Sequence, residues 1–212
     1  MGGRPLVAWV LDRVAGLVDG ICMVVPEGDD AVPRRLGDAW GGVPLRFARQ
    51  AEPRGVADAV LRSRRHARGH LLVVMGDVYF DDPLEPHVAV WRRSGDDGAV
   101  LVEALPSPPP SDPVGLVSVE DARVVGVRKG APREGNDVGL AGMAVLPHRA
   151  LEAGRHLSPS DETGELELEA MISRLLEEGC RFRALRYDGW RRNVNTPADV
   201  AAVEERLEGD GP

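Results

Sequence analysis

Helical periodicities that alternate with short, continuous apolar runs predict an α/β chain. The expected architecture is a Rossmann-like, doubly wound, mixed but mainly parallel sheet with helices on both faces, because strands separated by helices pair in parallel through right-handed crossovers. The runs at residues 21–25 and 71–75 lack polar alternation, as strands buried on both faces do. Gln50 and Asp77 each follow a predicted strand, and ligands of open α/β sheets sit beyond the carboxyl ends of the strands. With 212 residues, 43% of them hydrophobic, the chain is long enough for one substantial core, so residues 1–212 are read as a single domain.

The elements follow in order. Leu6, Trp9, Val10, Val14 and Leu17 fall at helical spacing, with Pro5 at the first turn, and predict a helix over residues 5–18. Gly20 and Pro26 bound the apolar strand 21–25. A polar helix over 30–40, a strand over 45–48, a helix over 56–66 and a buried strand over 71–75 come next. Residues 84–93 read as a helix and 99–104 as a strand. The segment 106–113 holds five prolines and forms an exposed, extended loop. Beyond it, residues 114–119, 124–128 and 138–146 read as strands, with Gly139 and Gly142 permitting close approach of backbone or ligand. A helix over 164–178 ends at Gly179, a strand covers 181–187, and Thr196 is the N-cap of a closing helix over 197–207.

A net charge of -8 and a pI near 5.2 argue against a surface that tracks nucleic-acid phosphates. The longest apolar run is far shorter than a membrane span, and no basic, then apolar leader opens the sequence. A cytoplasmic protein is expected. Cys22 and Cys180 are far apart and lack metal-ligand spacing, so both read as reduced thiols. The five histidines share no metal spacing and read as surface or packing residues, while Asp81-Asp82 and Asp96-Asp97 read as turn residues because Pro83 and Gly98 follow them.

The chemistry-bearing segments are Gln50-x-x-Pro53-x-Gly55-x-Ala57, Gly76-Asp77, Val114-Gly115-Leu116-Val117, Arg128-Lys129, Gly164-Glu165-Leu166-Glu167 and Trp190-x-x-Asn193-Val194-Asn195-Thr196-Pro197. A glutamine amide offers a donor and an acceptor in one plane, which suits a nucleobase edge; Gln50 also fits an ordinary polar residue before a helix. Asp77 at a strand end suits Mg²⁺, which commonly takes one or two protein carboxylates and completes its shell with phosphate and water. Lys129 is the only lysine in the sequence.

In this order the segments resemble those of the sugar-1-phosphate nucleotidyltransferases, the family typified by glucose-1-phosphate thymidylyltransferase. Molybdenum-cofactor and isoprenoid nucleotidyltransferases share the first helix and the Asn-x-Asn-Thr-Pro ending, but they do not usually show the Gln-x-x-Pro-x-Gly turn. The resemblance implies a reaction of a nucleoside triphosphate with a sugar 1-phosphate that yields an NDP-sugar and pyrophosphate. It implies a nucleotide half over 1–105 and a sugar half over 114–212.

Gln50, Pro53 and Gly55 then belong to the base-reading turn, and Asp77 and Asn195 are the Mg²⁺ ligands. Lys129 meets the sugar phosphate, which makes Asp77 and Lys129 the catalytic pair. Gly115, Gly142 and Glu165 align with the sugar pocket. Asn195 also fits a residue that shapes the turn before the last helix, Lys129 a solvated strand-edge lysine, and the glycines and Glu165 structural positions. The family usually shows Glu-Lys-Pro where this chain has Arg128-Lys129-Gly130, so the sugar contacts of that glutamate must be made differently. A homodimer is plausible for the class.

The family places a leading strand, a Gly-rich loop with an arginine, and a Lys-Pro segment before the helix that Gly2-Gly3-Arg4-Pro5-Leu6 opens. The resemblance therefore implies roughly 20–25 further residues upstream, one strand and one loop, without which the sheet lacks its first central strand. The alternative reading is a catalytically inactive relative that binds a nucleotide sugar as a regulatory or interaction subunit.

Overall fold

The structure, a computed structural model, describes residues 1, 3–108, 114–132 and 137–209. Helix α1 (Leu6–Val14) follows an extended Pro5 and buries Ala8, Val10, Leu11 and Val14; of the expected stripe only Val10 and Val14 are buried, and Leu6, Trp9 and Leu17 are half-buried. Strands β1 (Ile21–Pro26) and β3 (Val43–Gln50) pair in parallel, and the short β2 (Ala39–Trp40) folds back on β3. The helix expected over 30–40 is shorter: α2 (Ala31–Leu36) stops at Gly37, which has φ +75°, and Ala39-Trp40 is already strand. Helix α3 (Val56–Arg62) leads to β4 (Leu71–Val74) and β5 (Val78–Phe80), and α4 (Glu85–Ser94) to β6 (Gly98–Glu103). Then come β7 (Val114–Glu120), β8 (Arg123–Gly130), β9 (Asp137–Leu146), α5 (Ala150–Ala153), α6 (Leu168–Glu177), β10 (Phe182–Arg186), β11 (Arg191–Asn193) and α7 (Pro197–Gly209).

The main sheet runs β4-β9-β6-β10-β8-β7, and β7 also pairs with β9. Strand β9 has β6 along one side. On the other, residues 137–139 meet β7 and residues 143–146 meet β4. The ring β9-β6-β10-β8-β7 therefore closes, with β10 and β8 joined only at Arg183 and Arg123. This corrects the mainly parallel expectation. Among the described residues only β1 with β3 and β6 with β10 pair in parallel, and every other pairing is antiparallel. The reason lies in the connections: among the described residues no helix separates β6 through β9, and strands joined without a crossover helix return antiparallel.

Strand β6 shows how the sheet organises the core. Ala99 and Leu101 pack on one face with Met143, Val145, Phe80 and Leu84, while Val100 and Val102 pack on the other with Ala144, Met171 and Ile172. The period of two places alternate side chains in two different cores. Strands β1 and β4 were expected to be buried on both faces, yet only Val25 of β1 is buried and all four residues of β4 are half-buried. Among the described residues β1 pairs only with β3, and β4 only with β9. Residues 109–113 of the proline-rich loop lie outside the described residues. No helix among the described residues is long and apolar enough to cross a membrane.

Candidate active site

Gln50 ends β3, and its Nε2 donates to Gly55 O at 3.2 Å and to Asp58 Oδ2 at 2.9 Å. Asp58, in the first turn of α3, is 6% exposed and accepts from Arg62 at 3.2 and 3.1 Å. Burial pushes the Asp58 carboxyl up, but the bonds from Arg62 and Gln50 outweigh it and hold the group below the usual carboxylate range. Pro53 is exposed.

Gly55 has φ +95°, and a Cβ there would lie 2.5 Å from Leu166 O and 2.9 Å from the Glu165 Cβ. The space a side chain would take at Gly55 is therefore filled by the segment before α6, which gives the glycine a structural reason beside any base contact. The same segment is bonded in place: Leu166 N–H donates to Arg54 O at 2.7 Å and Ala57 N–H donates to Leu166 O at 2.9 Å. Glu165 was expected inside a helix over 164–178, but α6 begins at Leu168 and Glu165 lies in the turn ahead of it. The turn around Gln50 and the segment around Glu165 thus form one continuous wall.

Lys129 on β8 sits opposite Gly115 on β7, and its Nζ is 3.5 Å from Glu167 Oε1. Glu167 also accepts from Thr163 Oγ1 at 2.9 Å. A Cβ at Gly115 would lie 2.5 Å from Glu169 Oε1, so this carboxyl occupies the space beside the glycine. Burial pushes the Glu169 carboxyl up and its neighbour Glu167 adds to this, while its own backbone N–H and Lys129 pull the other way. Two carboxyls, Glu167 and Glu169, therefore stand beside Lys129, in a chain that lacks the glutamate immediately before that lysine.

Asp77 is exposed in the turn between β4 and β5, and its backbone carbonyl accepts from Val194 N–H at 2.7 Å. With Asn193 paired to Val78, this bond brings the segment that carries Asn195 against the turn that carries Asp77. Asn195 is exposed and lines an open depression with Val194, Thr196, Pro197 and Val200. Gly142 falls here and not beside Gly115: its φ is +80°, a Cβ would lie 3.0 Å from Val78 Cγ2, and its carbonyl accepts from Met75 N–H at 2.9 Å.

Sequence reasoning missed Asp58, Glu167 and Glu169. The alternation Glu165-Leu166-Glu167-Leu168-Glu169 carried the signal for the last two, but reading the whole stretch as helix scattered those acids around an axis. Asp96, expected in a turn, is buried and accepts from Arg183 Nε at 2.7 Å, a structural role.

The model of the nucleotidyl transferase family matches residues 1–191. The chain belongs to that family. It is 26% identical over 207 residues to a UTP–glucose-1-phosphate uridylyltransferase of Haloferax volcanii, covering 97% of this chain and 85% of the relative. A glucose-1-phosphate thymidylyltransferase of Streptomyces antibioticus is also 26% identical, over 99% of this chain and 61% of its own length. The chain spans about half of the bifunctional GlmU proteins it matches, such as that of Methanococcus aeolicus, where the share is 46%. Among solved structures, a UDP-glucose pyrophosphorylase with bound UDP-glucose superposes with a TM-score of 0.82 at 13% identity, covering 98% of this chain and 88% of the other. The inositol-1-phosphate CTP transferase of T. maritima gives a TM-score of 0.75 at 16% identity, covering 100% and 86%. These last two likenesses show the fold.

Proposed function

We propose that the protein is a sugar-1-phosphate nucleotidyltransferase, which joins a nucleoside triphosphate to a sugar 1-phosphate and releases pyrophosphate. The family supports this reading, and the observation that carries it is the pair of hydrogen bonds between residues 54–57 and Leu166. They join the turn with Gln50 to the segment with Glu165 and Glu167, so nucleotide and acceptor positions share one wall. Residues 1–105 then serve mainly the nucleotide and residues 114–212 mainly the acceptor.

In the reaction, an oxygen of the sugar phosphate attacks the α-phosphorus in line, the bond to the β-phosphate oxygen breaks, and pyrophosphate leaves with its electron pair. Protein side chains contribute position and charge and form no covalent bond. Gln50 and the turn with Pro53 and Gly55 hold the base. Lys129, kept at the acceptor side by Glu167, supplies the cation for the sugar phosphate, while Gly115 and Glu165 bound the sugar.

Asp77 and Asn195 fit Mg²⁺: both are exposed, both offer hard oxygen donors, and the Asp77 carboxylate makes no hydrogen bond or ion pair among the described residues. A bound Mg²⁺ would neutralise charge on the phosphate oxygens. Gly142 serves this region by letting β9 pass close to Val78.

Variants at Asp77 and Lys129 test the assignment. Asp77→Asn is expected to lower pyrophosphate release by about 10²–10³-fold with an unchanged unfolding midpoint, because the residue is exposed and lies outside the core. Lys129→Gln is expected to raise KM for the sugar phosphate more than for the triphosphate. Equal activity of Asp77→Asn and wild type would remove Asp77 from the mechanism.

A further inference from the structure

We infer that Glu169 is a specificity-determining residue of the acceptor side: as a neutral carboxylic acid lodged against Gly115, it donates a hydrogen bond to the phosphate that Lys129 also holds. The inference rests on reading Lys129 as the sugar-phosphate contact and goes beyond it by naming a second phosphate ligand and the proton that makes it one.

Strand register brings the two groups together. Gly115 and Lys129 stand directly opposite in the antiparallel pair of β7 and β8, so their side-chain positions lie on the same face. The glycine leaves its position empty, and a Cβ there would lie 2.5 Å from Glu169 Oε1. Helix α6 packs on β8 and carries Glu169 in its first turn, which sets the carboxyl beside Gly115 on the face to which Lys129 projects. A side chain at position 115 would displace it.

The protein leaves this carboxyl free to meet a ligand. Among the described residues no other side chain bonds to it, and its one hydrogen bond comes from its own backbone N–H. Glu167, by contrast, accepts from Thr163 Oγ1 at 2.9 Å and lies 3.5 Å from Lys129 Nζ. The charged groups that face Glu169 are Glu165 and Glu167 on its own segment and Lys129 from β8. The β7 and β9 residues around Gly115 Cα, Gly115 itself and Leu140, carry no charge.

Three ionised carboxyls around one ammonium would repel a phosphate. Burial, and then Glu167, push the Glu169 carboxyl up, so it keeps its proton at pH values where an ordinary glutamate has lost it. A protonated carboxyl has an O–H to donate, and such a bond to a phosphate oxygen is charge-assisted. Ionised, the same group offers only lone pairs. The proton on Glu169 therefore decides whether this position attracts or rejects the acceptor.

The test is calorimetric binding of sugar 1-phosphates, glucose 1-phosphate first, with Mg²⁺ and the α,β-methylene analogue of UTP, whose bridging carbon cannot be displaced. Wild type, Glu169→Gln and Glu169→Leu are compared from pH 5 to pH 8, with pyrophosphate release from UTP measured in parallel. The second ionisation of the sugar phosphate, at about pH 6, acts alike in all three proteins, so affinity ratios isolate position 169. Glutamine keeps a neutral donor at every pH. Wild type is expected to match Glu169→Gln at the acid end and to bind about tenfold more weakly than it at pH 8. Glu169→Leu fills the same space without a donor and should bind about tenfold more weakly than Glu169→Gln throughout. A ratio of wild type to Glu169→Gln that does not change with pH, or equal binding by the Gln and Leu variants, would overturn the inference and leave Glu169 a packing residue. Should Glu169→Leu fail to fold, the ratio of wild type to Glu169→Gln still decides. Binding with the pH contrast but without pyrophosphate release would uphold this inference and remove the catalytic reading, whereas release without the contrast would do the reverse. Absence of sugar-phosphate binding at every pH would overturn it together with the acceptor reading of Lys129.

Discussion

Glu169 is a residue whose environment changes the chemistry of its side chain. Burial against Gly115 and the neighbouring Glu167 make its ionised form costly, and Lys129 offsets only part of that. An acid whose native value is raised stays protonated in the folded chain while the unfolded chain, with a value of about 4.3, has already released its proton. Stability therefore falls as pH rises from that value through the native one, and levels off above it. Glu169→Gln removes the titration. Urea unfolding should show the variant more stable than wild type at pH 8 and the two converging near pH 4; a difference that does not change with pH would show that Glu169 ionises freely. None of this is legible in the sequence, where Glu169 is one acid in an alternating run. The strands of Gly115 and Lys129 were legible in part, but the register that sets Lys129 opposite Gly115 comes from the structure.

At the scale of elements, the junction between the Gln50 turn and the segment before α6 depends on Gly55. Its φ of +95° and the 2.5 Å that a Cβ would have to Leu166 O both oppose a side chain. Gly55→Ala is expected to cost about 1–3 kcal/mol in urea unfolding and to reduce pyrophosphate release. Gly16→Ala is the control, since nothing lies within 4 Å of a Cβ there. A neutral Gly55→Ala would mean that the two segments need not touch.

Elements with a strong local signal were readable in advance: the helical spacing of α1, the apolar run of β6 and the Thr196 cap, whose Oγ1 accepts from Asp199 N–H at 3.3 Å. Strand β5 was not. Its three residues are too few to show a period, and its burial comes from α1 packed on one side and β11 paired along its edge. The turn at 161–167 was lost because Leu168, Met171, Ile172 and Leu175 form a clear helical stripe and the residues just ahead of it were read into the same helix.

For the whole molecule, pattern reasoning found an α/β chain but gave the sheet the wrong sense. Pairing direction is a property of connections, and a hairpin return is invisible in the strands it joins; the turn at Asp121-Ala122, with φ of +48° and +61°, reverses β7 into β8 without a glycine to announce it. The closed ring matters for function because it carries Gly115 and Lys129 to the wall that also holds Gln50, while β9 links that ring to the region of Asp77 and Asn195 through Gly142.

The central claim is that this wall joins a nucleotide to a sugar phosphate. Phosphorus NMR of the protein with UTP, glucose 1-phosphate and Mg²⁺ tests it most directly. The account predicts that pyrophosphate and a UDP-sugar appear together in equal amounts, and that both require the sugar phosphate. Triphosphate that stays intact in the presence of each of a panel of sugar 1-phosphates, or that breaks down to orthophosphate with no sugar nucleotide formed, would contradict it.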